Sequence, residues 1–575
     1  MHAAHSSRTS VTRLHRSDSE MPEHVHRVLS VVCVAALVAC GGDGALAPAG
    51  GTFTVGQSLA VESGRDARVI GGATGGRYIA VVTNLSLDSI GSAAYSLRAS
   101  GISSAPSQAL FARSPIAELS AAIAASPPRD EAFEDGLRTR ERRELTPRFA
   151  MARHWNAARV PALPSTPVVG GLVTINVNAK DACANPIYHV ARVVAIGTKA
   201  LVLADTLNPK NGFTTADYQR YAARFDTLVY PLDVTAFGTP TDIDNNGRIA
   251  IVFTRAVNEL TERNSLSFVG GLTFSRDLFP QAGTARTQPC PTSNEGEYFY
   301  LLAPDPTGSI NGNRRTTGFV DSNTTAVIAH EFVHLINASR KLYVNTGAPQ
   351  FERKWLDEGL AHMAEELLFY RESGLSPRSN LDYTALALTA RTRAAYAADM
   401  AANASRYHEY LTDAPKSSPY QSGDSLSTRG GAWSLLRYLA DRTSSSDGTV
   451  WSRLVDNTNV GTANLESVFG RDFGNMLRDW TVSHAVDGTP GVPVELQQPS
   501  WNWHSVFAGA GSFPLLYPLP VTAMDGAQSY TGTAIAGGSA YYQFEVPANG
   551  TATLTLGGQS GAAGSNLQLV IVRTQ

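Results

Sequence analysis

Two histidines and a glutamate stand at a spacing that suits metal-assisted hydrolysis. The stretch from Thr325 to Asn337 is apolar between its ends apart from His330, Glu331 and His334. Residues i and i+4 share one face of a helix, so both imidazoles can reach one zinc ion at about 2.0–2.1 Å. Glu331 stands about 100° round the helix from His330, where its carboxylate can reach a water ligand and act as general base. The pattern predicts one catalytic Zn²⁺, with Glu331 as the catalytic residue.

A second segment offers the anionic ligand that such a site needs. Trp355 to Glu366 has helical character and follows a turn-rich loop at Asn345 to Pro349. A loop of this kind lets the second helix pack back on the first. Glu358 is then the natural third ligand beside His330 and His334, and the fourth position is left for water.

The two segments together resemble a known clan of peptidases. The pattern HExxH followed by Trp355, Glu358, Gly359 and Ala361 is similar to the gluzincin metallopeptidases, and within them to the hyicolysin family of secreted bacterial neutral metallopeptidases. The resemblance implies an α+β multidomain protein whose peptidase domain has a mixed β-sheet lobe and a mostly helical lobe. It also implies protein or peptide substrates. An endopeptidase is expected, because no Gly-x-Met-Glu-Asn segment of the aminopeptidase type occurs.

The residues that support the metal and the transition state are less defined. A peptidase of this type needs Tyr, His or Arg donors for the developing oxyanion, and Arg429 and His408 are candidates, each against the alternative of an ordinary surface residue. Where relatives place an acidic residue one turn after the ligand glutamate, this chain has His362, with Glu365 a further turn along. His362 is either a supporting or solvated histidine or an alternative ligand.

An acidic turn begins like a calcium-binding loop. Asp242, Asp244 and Asn246 precede Gly247 at the spacing of the first half of such a loop, whose oxygens wrap a hard cation. Position twelve, which needs a glutamate, is Phe253. Two interpretations stay open: a Ca²⁺ site, or an Asp/Asn/Gly turn that leads into a strand.

The N-terminal segment has the pattern of an export signal. The apolar run from Val28 to Ala39 is shorter than the roughly 20 residues that span a bilayer. Leu37 to Cys40, followed by two glycines, resembles the bacterial lipobox, in which the cysteine carries the lipid. The alternative is an ordinary signal peptide, and Met21 is an alternative start of the chain. We expect an exported lipoprotein at the cell envelope, at the outer membrane or cell surface, with or without later release.

Two thiols remain downstream of Cys40, namely Cys183 and Cys290. An oxidising compartment favours a disulfide between them, against the alternative of two separate buried thiols. In the loop-entropy model, a bridge across a loop of this length stabilises the fold by roughly 4–5 kcal/mol.

Charge limits the partners. The formal net charge is -3, and the basic residues from Arg138 to Arg143 are interleaved with acidic ones. Such a surface has no field that attracts polyanions. Nucleic acid is not expected as a partner, and contact with a membrane is expected only through the N-terminal lipid.

The chain is too long for one hydrophobic core and should form roughly three or four domains. Alternating runs around Tyr78 and Tyr541 predict β-sandwiches, and Thr214 with Asp217 predicts a capping box at the start of a helix. The strand from Tyr298 to Leu302 is either an edge that pairs with substrate or an internal strand. The predicted segments are a signal peptide at 1–40, an N-terminal β-sandwich at 41–115, a helical, charged linker or propeptide-like segment at 116–164, the metallopeptidase domain at 165–490, a linker at 491–521 and a C-terminal, pre-peptidase C-terminal-like β-sandwich at 522–575.

An alternative function comes from another class of protein. A catalytically inactive surface lipoprotein could bind or adhere through its sandwiches. The intact set of His330, Glu331, His334 and Glu358 favours the enzyme, because a protein without turnover has no need to keep all four. A third alternative, a merely buried HExxH helix, requires protein partners for Glu331 and both histidines. The sequence therefore predicts a zinc-dependent endopeptidase.

Overall fold

A computed structural model describes residues 51–103, 130–152, 167–265, 267–283, 288–509, 517–526, 529–558 and 566–575. The predicted signal peptide, Met21 and the candidate lipidation site Cys40 lie outside these residues. The described chain is an α+β structure with three sheets and many helices. Within the described ranges, no helix combines the length and the apolar character needed to cross a membrane.

Strands from the two ends of the chain share two five-stranded sheets. The N-terminal strands are β1 (Gly51–Thr52), β2 (Ser58–Glu62), β3 (Asp66–Ile70), β4 (Gly76–Asn84) and β5 (Ser92–Ser100), and the C-terminal ones are β12 (Val521–Ala523), β13 (Ser529–Ile535), β14 (Ser539–Val546), β15 (Thr551–Gly558) and β16 (Leu567–Arg573). The strand orders are β1-β3-β15-β5-β13 and β12-β14-β4-β16-β2.

This topology corrects the prediction of two separate sandwiches at 41–115 and 522–575. β4 pairs antiparallel with both β14 and β16, and β5 pairs antiparallel with both β13 and β15. Neither terminal segment therefore builds its sheets alone. Alternation in the sequence identifies strands and their buried faces, but it does not identify the partner of each strand.

The two faces of β4 explain how these sheets attach to the rest of the protein. Side chains alternate across a strand. Tyr78, Ala80 and Val82 enter the core shared by the two five-stranded sheets, whereas Ile79 and Val81 enter the main core of the molecule. β4 is therefore buried on both faces.

Six further strands form a mixed sheet beside the predicted metal site. They are β6 (Leu172–Asn176), β7 (Tyr188–Ile196), β8 (Ala200–Asp205), β9 (Ile249–Thr254), β10 (Gly271–Thr273) and β11 (Tyr298–Leu302), in the order β10-β11-β9-β8-β7-β6. β11 is parallel to β9 and antiparallel to β10. The interpretation of β11 as a substrate-binding edge is thus wrong, because β11 is internal and β10 is the edge strand.

Three short helices accompany this sheet: α2 (Thr215–Arg224), α3 (Tyr230–Phe237) and α4 (Arg255–Asn258). α2 begins with the predicted capping box, in which the Thr214 hydroxyl accepts from the Asp217 N–H and the Asp217 carboxylate accepts from the Thr214 N–H. A disulfide joins Cys183 to Cys290, with Cα atoms 4.6 Å apart. The bridge connects the loop after β6 with the segment before β11.

The described chain between β11 and β12 is mostly helical. Its helices are α5 (Thr317–Tyr343), α6 (Lys354–Ser373), α7 (Tyr383–Ala387), α8 (Ala390–Ala395), α9 (Ala401–Thr412), α10 (Leu426–Ala440), α11 (Asp447–Val455), α12 (Thr462–Phe469), α13 (Phe473–Val486) and α14 (Trp503–Gly509). The Thr316 hydroxyl caps α5 by accepting from the Phe319 N–H, which satisfies a free donor of the first turn. α6 ends at Gly374, whose φ of 79° suits glycine in a left-handed C-cap.

A long helix, α1 (Glu131–Ala152), lies in the segment predicted to be a linker or propeptide-like. Leu137, Leu145 and Phe149 are buried in the main core. The Phe149 ring contacts Phe351 edge-on, with centroids 4.8 Å apart. These contacts correct the interpretation as a plain linker, because α1 is packed into the folded body.

Candidate metal centre

Helices α5 and α6 bring three donor groups together. His330 Nε2 lies 3.2 Å from His334 Nε2. Glu358 Oε2 lies 3.5 Å from His330 Nε2, and its Oε1 lies 3.6 Å from His334 Nε2. Two ligands about 2.05 Å from one zinc ion at a tetrahedral angle are about 3.3 Å apart. The three side chains therefore form a group that could hold a metal ion, at the spacing that zinc requires.

The chemistry of these donors also fits a cation. Glu358 is fully buried, and neither of its oxygens accepts a hydrogen bond from a described residue. Burial raises the pKa of Glu358, but Arg429 and the two histidines outweigh burial and hold this pKa well below its usual value. Burial lowers the pKa of His330, but Glu358 and Glu365 outweigh it and raise this pKa to about 9. The site favours positive charge, which a divalent ion would supply.

A carboxylate lies next to the Nδ1 atom of each imidazole, on the side of the ring away from Nε2. Asp357 Oδ2 lies 2.9 Å from His334 Nδ1, and Glu365 Oε1 lies 3.0 Å from His330 Nδ1. A carboxylate at Nδ1 fixes the ring and its tautomer, and leaves the Nε2 lone pair for a metal. Glu365 was a predicted candidate for this support. Asp357 was missed, although it directly precedes Glu358.

His362 lies behind the site. Its Nδ1 is 3.3 Å from Glu365 Oε2, and burial together with Arg406 lowers its pKa to about 3. The ring is therefore neutral. His330, His362 and Glu365 form a second group that could hold a metal, but Glu365 lies between the two rings, hydrogen-bonded to His362 and 3.0 Å from His330 Nδ1. The arrangement favours His362 as a supporting residue.

Glu331 is held against the edge of the mixed sheet. Its Oε2 accepts a hydrogen bond of 2.7 Å from the Thr273 N–H. The Thr273 hydroxyl donates to the Glu331 carbonyl at 2.9 Å. Thr273 is the last residue of the edge strand β10. Glu331 belongs to none of the potential metal groups of the described residues, as the assignment of a base rather than a ligand requires.

The two candidate oxyanion donors occupy other environments. Arg429 is 1% exposed, and its guanidinium is paired with Glu134, Asp424 and Glu358, the last at 3.2 Å. Because three carboxylates hold it, Arg429 positions Glu358 and is neither a surface residue nor a free donor. His408 packs its ring against Phe507, with centroids 5.4 Å apart. The structure therefore supports neither residue as an oxyanion donor.

One cation beside the site was not predicted at all. Arg138 of α1 is 4% exposed; its Nε lies 3.6 Å from Glu358 Oε1 and its Nη2 lies 3.6 Å from Glu331 Oε2. Its Nη1 donates to the Thr273 carbonyl at 2.8 Å. The sequence predicts only a helical, charged linker or propeptide-like segment around Arg138. The apolar positions Leu137, Leu145 and Phe149, spaced by eight and four residues, are the signal of a buried face.

Comparison with known proteins gives one distant likeness. No protein-family model matches the chain. The neutral metalloprotease ShpI of Staphylococcus hyicus is 26% identical over 157 residues, which are 27% of this chain and 32% of that protein. The match thus spans about a third of the length of this relative. The chain is distantly similar to a metalloprotease, and it contains His/Glu groups that could hold a metal ion.

Proposed function

We propose that this protein is a zinc-dependent endopeptidase that hydrolyses peptide bonds of protein substrates. The observation that carries the proposal is the triangle of His330 Nε2, His334 Nε2 and the Glu358 carboxylate, with sides of 3.2, 3.5 and 3.6 Å. Glu331 lies outside this triangle, on the helix that carries both histidines. The distant similarity to a neutral metalloprotease supports the same function.

The proposed mechanism assigns the metal to His330, His334 and Glu358. When bound, Zn²⁺ is a Lewis acid for the scissile carbonyl and lowers the pKa of water. Glu331 takes the proton from the attacking water and later delivers it to the leaving amine. The hydrogen bond from the Thr273 N–H keeps this carboxylate oriented during both transfers.

The edge strand β10 supports cleavage within a polypeptide. The Thr273 carbonyl accepts from the Arg138 side chain, away from the neighbouring strand β11. Main-chain groups at a free sheet edge can pair with an extended peptide, whichever part of the substrate it comes from. Such pairing does not depend on a substrate terminus, and this favours an endopeptidase.

Export is part of the proposal. The disulfide between Cys183 and Cys290 supports an oxidising compartment. The lipobox-like segment ending at Cys40 supports attachment to the cell envelope through lipid. Treatment of cells with a labelled fatty acid should label the parent protein and leave Cys40→Ser unlabelled.

The proposed function is tested by zinc content and casein hydrolysis of the purified protein and two variants. We expect about one zinc ion per chain in the parent, and loss of both zinc and activity in Glu358→Gln. Glu372→Gln, in the last turn of the same helix, is the matched control and should retain both. A parent without zinc would contradict the proposal. Zinc without hydrolysis, both in the parent and in a variant whose helix α1 is loosened at Phe149, would favour an inactive binding or adhesion lipoprotein.

A further inference from the structure

A second acidic cluster lies at the N-terminal ends of strands β9 and β11. Asp242 and Asp244 belong to the turn between α3 and β9, and Glu297 directly precedes β11. Single oxygen atoms of the three carboxylates lie within 4.8 Å of one another. Asp242 is exposed, whereas Asp244 and Glu297 are 5% and 2% exposed. The cluster is thus buried at its base and open to water on one side.

Glu297 joins the two aspartates that the sequence singled out as candidate calcium ligands. The Asn246 side chain donates to Asp244 Oδ2 at 2.5 Å and accepts from the Arg248 N–H at 2.6 Å. Position twelve of the local pattern, Phe253, is buried in β9. Asn246 is thus engaged within the turn, and a third carboxylate comes from a distant segment.

The buried carboxylate of Glu297 points to a ligand. Its Oε1 accepts from the Ile243 N–H at 2.8 Å, but its Oε2 has no hydrogen-bond partner among the described residues. Burial, reinforced by Asp244, raises the pKa of Glu297 well above its usual value, and burial raises the pKa of Asp244 to about 7. A buried, unpartnered carboxylate oxygen beside two further carboxylates requires a proton or a cation.

We propose that Asp242, Asp244 and Glu297 bind a Ca²⁺ ion. Ca²⁺ takes six to eight oxygen ligands at 2.3–2.6 Å in a flexible arrangement of carboxylates, main-chain carbonyls and waters, whereas Mg²⁺ needs near-ideal octahedral geometry. The exposed side at Asp242 leaves room for water ligands. The ion would connect the turn before β9 with the start of β11, which is the neighbour of the edge strand β10.

The test is calorimetric titration of Ca²⁺ into the zinc-loaded protein, prepared in calcium-free buffer, with thermal unfolding as a second measurement. We expect binding of one Ca²⁺ per chain and a higher unfolding midpoint in its presence. Glu297→Gln retains the Oε1 acceptor and should weaken Ca²⁺ binding by about tenfold or more. Glu295→Gln, whose carboxylate instead accepts from the Gln281 N–H, is the matched control and should bind as the parent does.

No binding in the parent at millimolar Ca²⁺, or equal affinities of parent and Glu297→Gln, would overturn the proposal. Tighter binding of Mg²⁺ than of Ca²⁺ would overturn the choice of ion. If Glu297→Gln does not fold, Asp242→Asn replaces it in the test. The Asp242 side chain is exposed, so this variant is expected to fold normally. Unchanged affinity in Asp242→Asn would then count against the site.

The side chains of the candidate metal centre are closed off from solvent. His330, Glu331, His334 and Glu358 are 1%, 2%, 3% and 0% exposed. A polypeptide substrate cannot reach groups that are buried to this degree. Hydrolysis of a protein therefore requires an element of the fold to move away from the site.

Helix α1 is the element whose side chains fill the substrate side. Arg138 lies between Glu331 and Glu358 and binds the Thr273 carbonyl. Glu141 Oε1, in the next turn of α1, accepts from the Ser275 N–H at 2.6 Å. Side chains of α1 thus occupy main-chain groups at and just beyond the edge strand, the groups that an extended substrate would pair with.

This second proposal rests on the proposed peptidase function: we infer that α1 is an autoinhibitory element that occupies the substrate position. Its anchor at Phe149 is an aromatic contact that involves neither Glu331 nor Glu358. Phe149 packs on Phe351, and Arg142 donates to the Glu352 carbonyl at 2.6 Å. Loosening this anchor should open the site without changing a residue that contacts Glu331 or Glu358.

The test compares the parent with Phe149→Ala, and with Leu554→Ala in the core of the terminal sheets as a matched cavity control. The measurements are zinc content, the rate of zinc release to a chelator, and hydrolysis of a short peptide. We expect Phe149→Ala to release zinc and to hydrolyse peptide several-fold faster than the parent. Leu554→Ala should match the parent in both rates.

Zinc-loaded Phe149→Ala with unchanged or lower rates would overturn autoinhibition while leaving the peptidase function intact. Absence of zinc from all three proteins would overturn the peptidase function and the autoinhibition that rests on it. Should Phe149→Ala not fold, Phe149→Leu gives the same comparison, because it removes the edge-on ring contact with Phe351 while keeping an apolar side chain.

Discussion

Asp357 Oδ2 lies 2.9 Å from His334 Nδ1, although the two residues belong to different helices. Asn337 Nδ2 donates to the other oxygen of Asp357 at 2.6 Å. Burial raises the pKa of Asp357, but His334 outweighs burial and lowers it below its usual value. Asp357 is therefore an ionised carboxylate that fixes one ligand histidine, and its sequence neighbour Glu358 is placed as the third ligand.

Replacement of Asp357 by Asn should weaken zinc binding by about 10–100-fold. The amide is uncharged and stabilises the imidazole of His334 less as a metal ligand. Competition with a chromogenic chelator measures the affinity. Asp321→Asn, at the half-exposed start of α5, is the control. An affinity of Asp357→Asn within about twofold of the parent would contradict the role of outer carboxylates in tuning ligand histidines.

Arg429→Ala should destabilise the fold by about 3–5 kcal/mol. The change leaves Glu134, Asp424 and Glu358 buried without the guanidinium that they share. Urea unfolding of the zinc-free protein measures the loss, and Arg453→Ala at an exposed position of α11 should cost less than about 0.5 kcal/mol. A loss below about 1 kcal/mol in Arg429→Ala would mean that the three carboxylates have other compensation.

The buried Asp233 side chain should make the free energy of unfolding depend on pH. The side chain is fully buried in α3, neither oxygen has a hydrogen-bond partner among the described residues, and burial raises its pKa well above the usual value. A raised pKa in the folded state means that the contribution to stability is complete below about pH 3.9 and is lost as the pH rises. The loss is about 1.4 kcal/mol per pH unit until the folded-state pKa is reached.

Asp233→Asn removes this titration. We expect the variant to be more stable than the parent at pH 8, by about 1–3 kcal/mol, and the difference to shrink as the pH approaches 4. Urea unfolding at both values measures the two free energies of unfolding. A difference that is independent of pH, or that grows towards pH 4, would show that Asp233 is ionised in the folded protein.

The sequence could predict those parts of the site that depend on the conformation of one helix or turn. His330 and His334 are one helical turn apart, and their Nε2 atoms meet because the helix fixes their spacing. The capping box at Thr214 is equally local. Glu358 could be named because the second helix follows the first after a short loop. Each of these inferences needs only the conformation of one segment or of two adjacent ones.

Long-range pairing explains what the sequence could not reveal. Arg138 and the Thr273 carbonyl are 135 residues apart, and Arg429 and Glu134 are 295 residues apart. Glu297 likewise completes the acidic turn at Asp242 from a separate loop. The partner of an ion pair depends on tertiary packing rather than on helix or strand periodicity. For the same reason the strands of 51–100 could be predicted as strands, but not their pairing with the C-terminal ones.

The most direct test of the central claim compares the parent with Glu331→Gln, in zinc content and in kcat/KM for casein-derived peptides. Because Glu331 belongs to the proton transfer and not to the metal ligands, we predict about one zinc ion per chain in both proteins. Activity of the variant should fall by roughly 10²–10⁴-fold. Retention of the parent rate by Glu331→Gln, or undiminished activity of zinc-free parent, would contradict the claim that this protein is a zinc peptidase with Glu331 as its base.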